Sequence, residues 1–201
     1  MPSHWIGTLD NVLKPLLAMT EIAMNEIEAN LSAGRVRLVE FFAEPGVRVK
    51  RLTCNNQNEL AGICYETNYP GLARFGREVV REMNRVRMLV DLSHIGDRST
   101  MGVVKHSQKP VAVSHANAVS LFLHMRNRRD EVLMVLQDDG GVIGCATYRN
   151  IAGDHYCRSV RIWCEMVART VDIAGINRIS TGADRSHNHV KRDCDGLRIL
   201  G

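Results

Sequence analysis

Apolar residues fall into two kinds of run along this chain. Short, mostly continuous stretches occur at 88–92 ("MLVDL"), 110–114 ("PVAVS"), 141–148 ("GVIGCATY") and 177–182 ("NRISTG"), with a shorter one at 47–53 ("VRVKRLT"). Their length and lack of strict alternation predict strands covered on both faces. Between them, apolar positions recur at helical spacing. Residues 71–86 place Phe75, Val79, Met83 and Val86 on one face of an amphipathic helix. Further helices are expected at 97–107, 129–139 and 157–175, and earlier at 9–31, where Pro15 marks a first turn or a kink. The polar stretch 54–71 is dense in turn formers and reads as a long loop. Strand alternating with helix implies parallel pairing through right-handed crossovers. The class is therefore α/β, either a barrel or an open sheet.

The apolar runs stop in a suggestive way. "MLVDLSH", "PVAVSH" and "INRISTGAD" end at His94, His115 and Asp184. In α/β barrels the functional groups sit at the C-terminal ends of the strands. Neighbouring strands lie about 4.8 Å apart and Zn–N bonds measure about 2.0–2.1 Å, so imidazoles from adjacent strand ends can converge on one ion. A zinc-bound water has a pKa of about 7 and supplies hydroxide at neutral pH. Asp184 is placed to accept and return its proton. A strand-end histidine taken alone more often serves as a hydrogen-bonded structural residue, and that reading stands beside the metal-ligand one. Arg126 and Asn127, in the loop after His115, offer a fork for a substrate carboxylate. The competing reading is an ordinary surface arginine in the basic cluster "RNRRDE". His187 and His189 follow the last strand and are more simply structural or solvated.

Composition narrows the classes. The chain has 201 residues, 45% hydrophobic and 24% charged, the balance of an ordinary globular protein. The net charge of +4 comes from interleaved acids and bases, and no basic stripe carries stacking aromatics, so nucleic acid is not an expected partner. Six cysteines, at 54, 64, 145, 157, 164 and 194, include no C-x-x-C pair. A reducing, cytoplasmic setting fits them. Neither a signal-peptide pattern nor an apolar run of membrane-spanning length is expected. A complete eight-fold barrel typically needs about 250 residues, so this length predicts a partial one.

The motifs "GLARFGREVVREMNRVRMLVDLSHIGDRST", "KPVAVSHANA", "HMRNRRDEVL", "GGVIGCATY" and "VDIAGINRISTGAD" run in the order and spacing of the renal (membrane) dipeptidase family. "GVRVKRLTCNNQN" is similar to the segment before that family's long loop. The resemblance covers roughly residues 36–190, with 1–35 as an N-terminal helical region of the same single domain, 1–201. It implies a (β/α)8 TIM-type barrel, here incomplete at both ends, and a zinc-dependent dipeptidase that acts through metal-bound hydroxide. It also implies a two-zinc site, with His94 and His115 on one metal, Arg126 and Asn127 on the dipeptide's carboxylate, and Asp184 assisting the water and the leaving amine. The expected partner is a dipeptide, and a homo-oligomer is a candidate assembly.

The sequence departs from the family at definite places. No H-x-D pair is present to hold the other metal. Glu26 and Glu28 lie in the interval of the bridging glutamate but in a helical context. Cys54 stands where renal-type members have a histidine, and "DRSH" replaces D-F-D-G. At most one metal is therefore supported. A shortened, catalytically inactive member, lacking the first metal's ligands and the bridging glutamate, is the alternative. Another metal-dependent amidohydrolase on a similar barrel is a third reading, against which the Arg-Asn spacing argues.

Overall fold

The computed structural model describes residues 36–53, 58–66, 68 and 71–182. The helix expected at 9–31, Cys54, Asp184, His187 and His189 lie outside these. The described elements are α1 (Arg37–Ala43), β1 (Val49–Arg51), α2 (Arg74–Arg85), β2 (Leu89–Asp91), α3 (Asp97–His106), β3 (Ala112–Ala116), α4 (Asp130–Asp138), β4 (Val142–Ala146), α5 (Arg149–Tyr156), α6 (Val160–Ala174), a 3-10 turn (Ile176–Arg178) and β5 (Ile179–Gly182).

The five strands form one parallel sheet in the order β1-β2-β3-β4-β5. An open doubly wound sheet reverses its strand order at a switch point, and this one does not. With right-handed crossovers, an unreversed order carries every helix to the same face. The sheet is thus an arc of barrel wall, which decides between the two architectures the pattern allowed.

Alternation along the strands separates two faces. Val90, Val113 and Ile143 turn outward and pack with Val79, Val80 and Met83 of α2, Val103 of α3, and Leu133 and Leu136 of α4 in one buried core. A smaller cluster joins Cys145 to Ala152 and Met166. The inner face carries Arg51 and Asp91, which pair in register, together with Ser114 and Gly144. That face is polar, where barrel interiors are usually filled by branched apolar side chains. The strands were expected to be apolar on both sides. The outer side is covered by helices, whereas the inner side carries a hydrogen-bonded network near the strand ends and leaves Val49, Leu89 and Val142 exposed.

Most elements fall where the periodicity puts them, and three details differ. β3 begins at Ala112 and runs through His115, with a register shift between Val113 and Ala116, so His115 lies within the strand instead of past its end. Between the strand expected at 141–148 and the helix expected at 157–175 lies a further helix, α5, interrupted by Gly153 at φ 80°. A separate short helix, α1, buries Val39 and Ala43 ahead of β1. The last described helix, α6, begins at a serine cap, where the Ser159 hydroxyl accepts from Ile162 N, and it stops at Gly175 with φ 77°. Among the described residues no helix is long and apolar enough to cross a membrane.

Candidate metal centre

The site is assembled at the C-terminal ends of β1, β2 and β3. After β2 the chain turns outward through Leu92, Ser93 and His94, all buried. The loop before α2 fixes this turn: Cys64 N donates to the His94 carbonyl at 3.1 Å, and Gly96 N donates to the Gly62 carbonyl at 3.1 Å. His94 and His115 meet with ring centroids 5.2 Å apart and Nε2 atoms 3.1 Å apart. The two imidazoles share one spot.

Their proton positions follow from the neighbours. Asp91, buried on the inner face, accepts from Ser93 N, Ser93 Oγ and Ser114 N on Oδ1, and from Ser114 Oγ on Oδ2 at 2.6 Å. A carboxylate only accepts, so the Ser114 hydroxyl proton points to Asp91. Ser114 Oγ lies 2.8 Å from His115 Nδ1 and must then accept from it. His115 therefore carries its proton on Nδ1 and a lone pair on Nε2. On the other ring, Arg51 Nη1 lies 2.7 Å from His94 Nε2. A guanidinium only donates, so that nitrogen also bears a lone pair. Burial, the guanidiniums of Arg126 and Arg51, the His115 ring and Arg128 together push the His94 imidazolium down to a pKa of about 2, and the ring is neutral.

Two acceptor nitrogens thus face one another without a proton between them. Such a pair repels unless a cation serves both. Two nitrogen ligands of a tetrahedral zinc, at 2.0–2.1 Å from the ion, stand about 3.3–3.4 Å apart. The observed separation of 3.1 Å is near that edge. The pair fits two corners of a zinc site in both donor chemistry and spacing. Among the described residues, no third His, Cys, Asp or Glu joins them.

Arginines ring the pair. The basic cluster "RNRRDE" after β3 divides sharply. Arg126 is 8% exposed; its Nε donates to the Ser93 carbonyl at 3.3 Å, and its Nη2 has no hydrogen-bond partner among the described residues. Arg128 is fully buried, and its Nη2 donates to the Leu92 and Ser93 carbonyls at the end of β2. Asp97 lies 3.8 Å from Arg128 Nη1. Arg129 is exposed and pairs with Asp97 at 2.9 Å. Arg126 is thus no ordinary surface arginine.

Asn127, expected beside Arg126 on a substrate, has its amide engaged by the chain. Its Oδ1 accepts from Asn117 N, and its Nδ2 donates to the Phe122 and Ile151 carbonyls. This residue shapes the loop that presents Arg126. Arg51, Asp91, Ser114 and Arg128 were not singled out in the sequence. A serine precedes each of the two histidines, and that repetition was the available signal.

Comparisons with known proteins establish the family and the fold. Residues 26–197 match the family model described as membrane dipeptidase (peptidase family M19). The chain belongs to the membrane dipeptidase family. An uncharacterized dipeptidase of Schizosaccharomyces pombe is 32% identical over 185 residues, 89% of this chain and 43% of that protein. A dipeptidase of Aspergillus oryzae is 28% identical over 155 residues, 75% of this chain and 37% of that protein. Among solved structures, an amidohydrolase from Pseudomonas aeruginosa superposes with a TM-score of 0.73 at 34% identity, covering 77% of this chain and 47% of its own. A metallopeptidase from Rhodobacter sphaeroides, liganded with a phosphinate mimic of L-Ala-D-Ala, shares the fold with a TM-score of 0.64 at 21% identity, covering 73% and 45%. The chain spans less than half the length of these curated relatives and matched structures.

Proposed function

We propose that this chain carries a zinc-dependent dipeptidase site in which His94 and His115 hold one metal ion, and that its substrate is a dipeptide. The observation that carries the reading is the pair of Nε2 lone pairs facing each other at 3.1 Å, each fixed by a neighbour that dictates its tautomer. When bound, zinc supplies a Lewis acid for the peptide carbonyl and lowers the pKa of a coordinated water to about 7.

The chain's own residues do the rest. Asp91 and Ser114 hold the His115 ring with its lone pair outward, which raises ligand basicity and fixes orientation. Arg126 receives the dipeptide's free carboxylate. Its buried Nη2 has no hydrogen-bond partner among the described residues, and a planar fork matches a carboxylate better than a point charge does. Asp184, the residue to which the resemblance gives this role, would take the proton of the attacking water and return it to the leaving amine. The dipeptide mimic on the Rhodobacter sphaeroides metallopeptidase supports the substrate class.

A second reading, a catalytically inactive member, is favoured by one contact: Arg51 already donates to the nitrogen that a metal would need. One experiment separates the two. The purified chain is loaded with zinc, and bound metal and dipeptide hydrolysis are measured beside His115→Ala. Stoichiometric zinc with turnover lost in the variant supports the enzyme. Folded protein with neither bound zinc nor turnover supports the inactive member.

A further inference from the structure

The contact between Arg51 and His94 goes beyond the dipeptidase reading. Arg51 closes β1, pairs in register with Asp91 of β2, and extends from the inner face to the histidine pair. Its Nη1 lies 2.7 Å from His94 Nε2, inside ordinary hydrogen-bond range. It is 9% exposed, so this placement is made within the fold and not by a surface side chain wandering in. The lone pair it takes is the one His94 would give to a metal. The charge it brings sits beside the point where a divalent ion would stand.

We propose that Arg51 is an internal cation that sets the metal affinity of the His94–His115 pair: its guanidinium satisfies the His94 Nε2 lone pair in the metal-free chain and must leave that nitrogen before a divalent ion can bind. The inference rests on the reading of the pair as a metal site. Two effects follow from the same contact. In the metal-free state the guanidinium offsets the repulsion between the two acceptors and holds the rings in place. On metal entry the hydrogen bond is lost, and a positive charge is left beside a dication. Both effects weaken apparent affinity, and both vanish with a neutral side chain. The device resembles a conformational competition in which the empty state carries its own ligand. Arg51 is a positioning residue here, since it acts through His94 and touches no substrate.

The test is metal affinity of the whole chain, read by zinc titration against a chromophoric chelator and by the visible d–d absorption of bound cobalt(II). Arg51→Met is expected to bind zinc about tenfold or more tightly than the wild type, the scale of one hydrogen bond to a charged group. Arg51→Lys, which keeps the charge, is expected to remain close to the wild type. Arg51→Gln carries the same comparison if the methionine variant fails to fold, as judged by far-UV circular dichroism. His115→Ala should abolish tetrahedral cobalt absorption in every background. Equal zinc affinity in the wild type and the neutral variants, or weaker binding in the latter, overturns the role of Arg51 while leaving the metal site standing. Folded proteins of which none binds zinc or cobalt overturn the metal reading itself and this inference with it.

Discussion

Asp91 governs the proton position on His115 without touching the ring. Its carboxylate orients Ser114, and Ser114 orients His115. Ser114→Ala removes the acceptor for His115 Nδ1–H and lets the ring rotate or change tautomer. Zinc affinity should fall roughly 10–100-fold, the usual loss when a partner behind a metal ligand is removed. Isothermal titration of the metal-free protein checks this, and an unchanged affinity would refute the tautomer assignment. Arginines give the second lesson at this scale. Arg128 and Arg129 are neighbours in sequence and opposites in energy. Arg128→Met should cost about 2–4 kcal/mol, because buried carbonyls at the end of β2 lose their donor and Asp97 loses a cation. Arg129→Met should stay within about 0.5 kcal/mol, as exposed pairs do. Urea unfolding of the two variants separates them. The sequence made the histidines legible because they follow apolar runs. It hid Arg51 and Arg128, since burial of a guanidinium depends on carbonyls and rings from other elements. No local pattern records that.

At the scale of elements, periodicity found the strands and long helices because burial on a sheet or helix face imposes its repeat directly. It displaced β3 by two residues, because Pro110 and the apolar run suggested an earlier start, and the register shift after Val113 has no signature in composition. It overlooked α5, whose few apolar residues are broken by the positive φ of Gly153. Another glycine permits the close approach of β3, β4 and β5 beside the site. A Cβ on Gly144 would overlap the Ser114 carbonyl oxygen on the neighbouring strand and approach the Gly182 Cα at 3.1 Å. Gly144→Ala must therefore push β3 and β4 apart, at about 1–3 kcal/mol for a forced backbone shift. Chemical denaturation measures the loss. Because Ser114 is the residue displaced, zinc affinity should drop in the same protein. Stability lost with full affinity retained would uncouple the strand spacing from the metal centre.

For the whole molecule, the unreversed strand order and the polar inner face belong together. A curled parallel sheet covered by helices on its outside leaves one concave wall, and this chain lines that wall with Arg51, Asp91, Ser93, Ser114 and the two imidazoles. The barrel class was legible from strand–helix alternation, but the polar lining was not, because "VDLSH" and "VAVSH" read as apolar runs until the register assigns Asp91 and Ser114 to the inside. A wall of this kind contributes little hydrophobic stabilisation on its inner face, so a ligand that ties β2 to β3 there should stabilise the fold measurably. Binding to the folded state alone adds RT ln(1 + [L]/Kd), about 2.7 kcal/mol at a hundredfold excess over Kd. For a chain of this size that corresponds to a rise in melting temperature of about 5–10 °C. Zinc at that excess should produce the shift in the wild type, a chelator should reverse it, and His115→Ala should abolish it while leaving the metal-free melting curve nearly in place. Scanning calorimetry with and without zinc reads all three. An equal shift in His115→Ala would mean that the metal binds elsewhere, and the concave wall would lose its claim to be the site.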